Sequence, residues 1–196
     1  MKEKISVYIS EEDTRKKIKE LGKKITEDYK NVEGKLLLVS ILKGAVVFMT
    51  DLMREIDLPL SIDFMIVSSY GSGTVSRGNV KIIKDLDINI SDYNILIVED
   101  ILDSGYTLSK IIEMLKTRNP KSLKLCSFLN KPDRRVANVE LDYCGFVIPD
   151  EFIVGYGLDY DEKYRNLPYV GILHFEEEWF WFIYKNRLPD DERFFF

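Results

Sequence analysis

The chain has one histidine, His174, and two cysteines, Cys126 and Cys144, in 196 residues. A single histidine excludes a His-rich metal centre and argues against a Ser-His-Asp hydrolase. His174 follows a strand-like run and reads as a surface or packing residue. The cysteines lie on separate apolar stretches without metal-ligand spacing, as ordinary buried thiols of a reducing compartment do. No run approaches the roughly 20 apolar residues that cross a bilayer, and the opening MKEKISVYIS lacks the apolar core of a signal peptide. The expected location is cytoplasmic, away from membranes. Positive charge is not in excess either: 28 Lys and Arg stand against 33 Asp and Glu, a net charge of −5. Nothing in that balance draws the chain to nucleic acid, so any anion must be bound locally. Acid–base work falls to carboxylates, lysine or tyrosine.

What the chain does have is ILIVEDILDSGYTL, Ile95 to Leu108. The short β-branched run reads as a strand buried on both faces of a parallel sheet. Leu108, Ile111, Ile112 and Leu115 then recur at the spacing of one buried helix stripe. The unit is strand, acidic turn, helix, and in an open α/β sheet the turn lies in the ligand-binding crevice at the carboxyl ends of the strands. A helix start carrying Ser104, Gly105 and Thr107 offers free N–H groups to a phosphate, while Glu99, Asp100 and Asp103 would repel a bare one. A ribose 5-phosphate reconciles the two, with its phosphate on the amides and its hydroxyls, a cation or a developing positive charge facing the acids. The plainer reading, in which Asp103 or Ser104 caps the helix, stays open at this stage.

Elsewhere, Ser10 to Asp13 has the form of a helix start, followed by the apolar face Ile18, Leu21 and Ile25. Lys35–Ser40 reads as a strand, Ile41–Gly44 as a turn and Ala45–Ile56 as a helix. Further strands are expected at Ser61–Val67, VKIIK, Ser122–Leu129, Tyr143–Ile148, Phe152–Val154 and Tyr169–Leu173. The glycine-rich loop Ser68–Asn79 has the composition of a lid or a hairpin tip. Its Gly-Ser-Gly lacks the third glycine and the following helix of a dinucleotide fingerprint. Strands alternating with helices predict one doubly wound α/β domain, with a mainly parallel sheet and a small β-rich subregion.

VEDILDSGYTL resembles the phosphoribosyl diphosphate signature of the type I phosphoribosyltransferases. LLLVSILKGAVVFMTDL, IDFMIVSSYGSG, VKIIKDLD, LNKPDRR and IPDEFIVGYGLDYDEKYRNLPYVGIL extend the resemblance to the hypoxanthine-guanine branch, from about Ile5 to Leu173. The resemblance implies the type I phosphoribosyltransferase fold with a small hood, Mg²⁺ as cofactor, and a homodimer or homotetramer. It implies transfer of a phosphoribosyl group from phosphoribosyl diphosphate to a 6-oxopurine, hypoxanthine or guanine.

It also assigns roles. Glu99 and Asp100 would hold the ribose hydroxyls directly or through Mg²⁺-bound water, with Asp159 as a further metal ligand. Ser104, Gly105, Tyr106 and Thr107 would cradle the 5′-phosphate, and Asp103 would be the general base. Lys43 and Gly44 match a diphosphate loop in which a non-proline cis peptide precedes the lysine, and Arg165 matches the diphosphate clamp. Ser69 and Tyr70 match the lid. Lys131 would donate to the purine 6-oxo group, Phe152 would stack on the base, and the Ile153 backbone would read its edge. On residue type alone, Lys131 is a surface lysine and Phe152 and Ile153 are core residues.

The resemblance fades at HFEEEWFWFIYKNRLPDDERFFF, so residues 1–174 form the expected domain and residues 175–196 an aromatic-rich extension. Phe175, Trp179 and Phe182 would share a helical face, whereas Trp179, Trp181 and Ile183 would share a strand face. The extension is expected to pack on the protein or at a subunit contact, away from the catalytic edge. A regulatory phosphoribosyltransferase-fold protein binding nucleic acid is the alternative, disfavoured by the acidic balance.

Overall fold

The computed structural model describes residues 3–69 and 80–175. In chain order they form β1 (Glu3–Ile9), α1 (Glu11–Tyr29), β2 (Lys35–Leu42), α2 (Val46–Glu55), β3 (Leu60–Ser69), β4 (Val80–Lys84), β5 (Tyr93–Leu102), α3 (Tyr106–Lys116), β6 (Ser122–Asn130), β7 (Tyr143–Val147), β8 (Ile153–Val154) and β9 (Val170–Phe175).

Six strands make the main sheet in the order β4-β3-β2-β5-β6-β7. All neighbours are parallel except β3 and β4. Alternation along the central strands sorts side chains to two faces. Leu36 and Leu38 of β2 and Leu96 and Val98 of β5 pack with Ile18, Leu21 and Ile25 of α1 and Phe48, Met49 and Leu52 of α2. Leu37, Val39, Ile95 and Ile97 instead join Leu108, Ile111 and Leu115 of α3. Both faces of the sheet are covered, which is the doubly wound arrangement and explains the unbroken apolar runs. Each such side chain contributes about 1.5–3 kcal/mol through burial.

Helix α1 starts as its sequence indicates, with Ser10 Oγ accepting from the Asp13 amide at 3.1 Å. Several boundaries differ from expectation. Strand β2 runs on to Leu42, because Ile41 and Leu42 pair with Met65 and Ile66. Strand β5 likewise continues through Glu99 and Asp100 to Leu102, with Ile101 and Leu102 opposite Leu129 and Asn130. The acidic pair is therefore strand, and only Asp103 to Gly105 form the turn. Strand β1, not anticipated, pairs antiparallel with β9, which pairs with β8; these three strands are the β-rich subregion.

Of the expected extension, Phe175 closes β9, opposite Glu3. Residues 176–196 lie outside the described residues, as does nearly all of the glycine-rich loop, including Tyr70.

Candidate active site

The parallel strands β2, β3, β5, β6 and β7 end on one edge of the sheet. Strand order reverses between β2 and β5, the switch point at whose carboxyl edge an open α/β sheet forms its ligand crevice. The chain places Lys43 and Gly44 after β2, Asp103 after β5 and Lys131 after β6. The Leu42–Lys43 peptide is cis.

Glu99 and Asp100 lie at the floor of this crevice. Burial raises Glu99 well above the usual carboxylate range, and the adjacent Asp100 adds to the rise. Burial also pushes Asp100 up to about 6, against the opposing pull of the Ile101 amide, which donates to Oδ1 at 2.7 Å. Asp100 presses against Gly44, where a Cβ would fall 1.7 Å from Oδ2. Only glycine fits this close approach.

After Leu102 the chain turns through Asp103 and Ser104 to Gly105, whose φ of 74° puts it in the left-handed region at the start of α3. Gly105 occupies the N-cap position and has no side chain to cap with, so the capping role falls only to Ser104, one residue earlier. Ser104 Oγ accepts from the Tyr106 amide at 3.3 Å. Thr107 lies in the first turn of α3, half-buried. The start of α3 thus directs backbone N–H groups and the positive end of its dipole toward the crevice.

The segment that follows β6 supports this loop. Arg135 donates from Nε to the Asp103 carbonyl at 2.9 Å and from Nη2 to the Leu102 carbonyl at 3.1 Å. The amides of Val136 and Ala137 both donate to the Ser104 carbonyl. Arg134 Nε lies 3.4 Å from Asp103 Oδ1 and its Nη1 3.4 Å from Asp150 Oδ1, so Asp103 faces a cation shared with a second acid.

Lys131 reverses the expectation from residue type. It is 8% exposed, with Nζ donating to the Glu151 carbonyl at 2.6 Å and lying 3.8 Å from Asp150 Oδ1. A buried ammonium persists only with such partners. Phe152 reverses it in the other direction: a large apolar ring, it remains 48% exposed at the lip beside Glu151. Ile153 is buried as expected, paired with Ile172 of β9.

The loop from β8 to β9 closes the other wall. A Cβ on Gly157 would fall 2.1 Å from the Gly44 carbonyl, so this loop lies directly against the Lys43–Gly44 turn. Arg165 donates from Nη1 to the Gly157 carbonyl at 2.8 Å and pairs through Nη2 with Asp159 Oδ1 at 2.6 Å. Glu162, unnoticed in the sequence, accepts from Lys43 Nζ with both oxygens at 3.1 Å and lies 3.6 Å from Arg165 Nη2. Ser69 ends β3 on the same edge.

Six buried side-chain polar atoms among the described residues make no hydrogen bond, and three belong to this crevice: Glu99 Oε2, Asp103 Oδ1 and Arg165 Nε. Unsatisfied buried polar groups are rare and gather where a ligand completes them. Mg²⁺ keeps several waters and needs only one or two protein carboxylates, so the Glu99–Asp100 pair suits it in number and in its orphaned oxygen. Among the described residues no three acidic, histidine or cysteine side chains converge as a full protein cage, which a largely hydrated ion does not require.

A model of the phosphoribosyl transferase domain matches residues 10–161. The chain is 53% identical over 177 residues to a hypoxanthine phosphoribosyltransferase of Buchnera aphidicola, covering 90% of this chain and all of that one. It is also 53% identical over 167 residues to the hypoxanthine-guanine phosphoribosyltransferase of Bacillus subtilis, covering 85% and 92% of the two chains. A crystal structure of a hypoxanthine phosphoribosyltransferase from Staphylococcus aureus superposes with a TM-score of 0.82 at 53% identity, over 86% of this chain and 91% of that one. With the switch-point crevice, its paired acids and its glycine-started helix, these likenesses show that the chain belongs to the phosphoribosyltransferase family, among the hypoxanthine and hypoxanthine-guanine enzymes.

Proposed function

We propose that the crevice binds phosphoribosyl diphosphate and a 6-oxopurine side by side and exchanges diphosphate for the base at C1 of the ribose. The products are IMP from hypoxanthine or GMP from guanine, with diphosphate released. The chain is a glycosyltransferase of purine salvage, as its relatives are. The observation that carries the residue-level reading is that three buried polar atoms without a hydrogen bond, Glu99 Oε2, Asp103 Oδ1 and Arg165 Nε, belong to one crevice, on whose floor desolvation raises the half-buried acids Glu99 and Asp100.

In this reading the 5′-phosphate sits on the N–H groups from Ser104 to Thr107, including Gly105 and Tyr106. The ribose hydroxyls face Glu99 and Asp100. Lys43, the Gly44 backbone and Arg165 take the diphosphate, exchanging their present partners Glu162 and Asp159 for it. The base lies on Phe152, its 6-oxo group accepts a hydrogen bond donated by Lys131 Nζ, and the Ile153 backbone reads its edge.

As purine N9 bonds to C1 and the C1–oxygen bond to diphosphate breaks, Asp103 takes the proton from N7. Its negative charge, close to the reacting centre, also favours the positive charge that develops on the ribose. Mg²⁺, when bound, would neutralise charge on the diphosphate leaving group, with Glu99 and Asp100 holding it directly or through its waters and Asp159 serving as a further ligand. Ser69 and Tyr70 are assigned to a lid that excludes water while C1 is reactive.

Two free thiols, Cys126 buried and Cys144 half-buried, support a reducing, cytoplasmic setting. No described helix is long and apolar enough to cross a membrane. Assembly as a homodimer or homotetramer is carried by the family resemblance alone. The regulatory nucleic-acid-binding alternative gains nothing from the relatives, which are named as transferases.

Diphosphate release, measured with hypoxanthine, guanine, xanthine or adenine in turn, tests the reading. Release that depends on a 6-oxopurine supports it. Ligand binding without release on any base would favour the regulatory alternative.

A further inference from the structure

Phe152 is the exposed ring at the lip of the crevice, and two aromatic residues from other parts of the chain hold it. Tyr160, in the loop between β8 and β9, has its ring centroid 5.5 Å away at an interplanar angle of 87°. Phe175, the last residue of β9, lies 6.5 Å from Phe152 at 70°. The triangle closes on its third side, with Tyr160 and Phe175 at 5.3 Å and 67°. Neither neighbour is stacked flat on Phe152, which keeps 48% of its surface exposed. The backbone beneath is fixed as well: the Leu173 amide donates to the Phe152 carbonyl at 2.9 Å.

A ring that is half exposed can turn about its side-chain bonds, and a stacking surface that turns loses much of its value for a planar ligand. Edge-to-face neighbours restrict that turning without covering the ring in parallel. We infer that Phe175 is a positioning residue for the purine base, acting through Phe152 together with Tyr160. This rests on the assignment of Phe152 as the stacking ring, and it adds a residue that no motif of the sequence pointed to. Phe175 sits where the extension was expected to begin, so the base-binding wall includes the end of β9.

The test is steady-state kinetics of Phe175→Ala, Phe175→Tyr and Tyr160→Leu in the full chain, varying hypoxanthine and phosphoribosyl diphosphate separately, with melting temperatures measured alongside. Loss of the Phe175 ring from beside Phe152 should raise KM for hypoxanthine about 3- to 10-fold in Phe175→Ala, the size of an aromatic pair interaction. KM for phosphoribosyl diphosphate and kcat should change by less than about two-fold, since Phe152, the ring through which Phe175 acts, is assigned to the base. Phe175→Tyr, which keeps the ring, should recover most of the base affinity. Tyr160→Leu should raise the same KM, and the two losses should be less than additive in the double variant because they share Phe152. An unchanged KM for hypoxanthine in Phe175→Ala, with wild-type activity intact, would overturn this inference alone. So would a parallel rise in both KM values together with a lowered melting temperature, which marks a structural role. A wild-type protein that transfers to no purine would overturn the underlying reading and this inference with it.

Discussion

Gly44 lies so close to the Asp100 carboxylate that a Cβ added to it would fall 1.7 Å from Oδ2. The two residues come from adjacent parallel strands, one just beyond the end of β2 and the other near the end of β5. Their contact joins the assigned diphosphate loop to the acidic floor. Asp100 can therefore keep its place only while residue 44 lacks a side chain.

Gly44→Ala should displace Asp100 and lower kcat/KM for phosphoribosyl diphosphate by about 10²-fold, since misplacement of a positioned group by about 1 Å has effects of that size. Circular dichroism should remain native. Wild-type kinetics in this variant would show the contact to be incidental to catalysis.

The proposed base choice rests on Lys131. Its buried ammonium, now held by the Glu151 carbonyl and Asp150, is a donor that a 6-oxo group can engage and a 6-amino group cannot. Lys131→Ala should lower kcat/KM for hypoxanthine by about 10- to 10²-fold, the worth of a charged hydrogen bond, with little change in phosphoribosyl diphosphate binding by calorimetry. Efficient adenine turnover by the wild type would contradict the assignment.

Acid stability has a separate source. Arg118 grips Asp85 with two bonds of 2.8 and 2.7 Å, tying the segment after β4 to the end of α3. The Arg118 hydrogen bonds hold the Asp85 carboxyl below the usual range, against the effect of burial. A carboxyl lowered in the folded state stabilises the fold above its unfolded value near 4, and that contribution disappears as pH falls through the lowered folded value. Urea midpoints of Asp85→Asn should therefore fall less steeply than wild type below about pH 4. At pH 7 the variant should be less stable by no more than about 1 kcal/mol, because the pair is partly exposed and solvent-screened. Parallel wild-type and variant curves across the acid range would remove Asp85 from the effect.

The doubly wound sheet was legible because its central strands are buried on both faces and carry unbroken apolar runs, while α1 and α3 keep a helical stripe. Strand β1 was not. Its residues are mostly exposed, with only Ile9 fully buried, and its partner β9 lies more than 160 residues away in sequence. At the site, the motif around Asp103 named the loop but not its supports. Arg135 reads as one more charge in KPDRR, and only tertiary contact turns it into the residue gripping two carbonyls of the loop. Lys131 and Phe152 misled residue-type reasoning because burial is decided by tertiary placement: the Glu151 carbonyl satisfies the Lys131 ammonium inside, while Phe152 meets its aromatic neighbours only edge-on and stays 48% exposed.

The account stands most directly on Asp103, whose Oδ1 is buried without a hydrogen bond beside the N-terminus of α3. The measurement is kcat of Asp103→Asn with hypoxanthine, together with the Kd for phosphoribosyl diphosphate. A fall in kcat of about 10²- to 10⁴-fold, with that Kd within a few-fold of wild type, is the result expected for losing a positioned general base. Near-normal turnover in Asp103→Asn would contradict it.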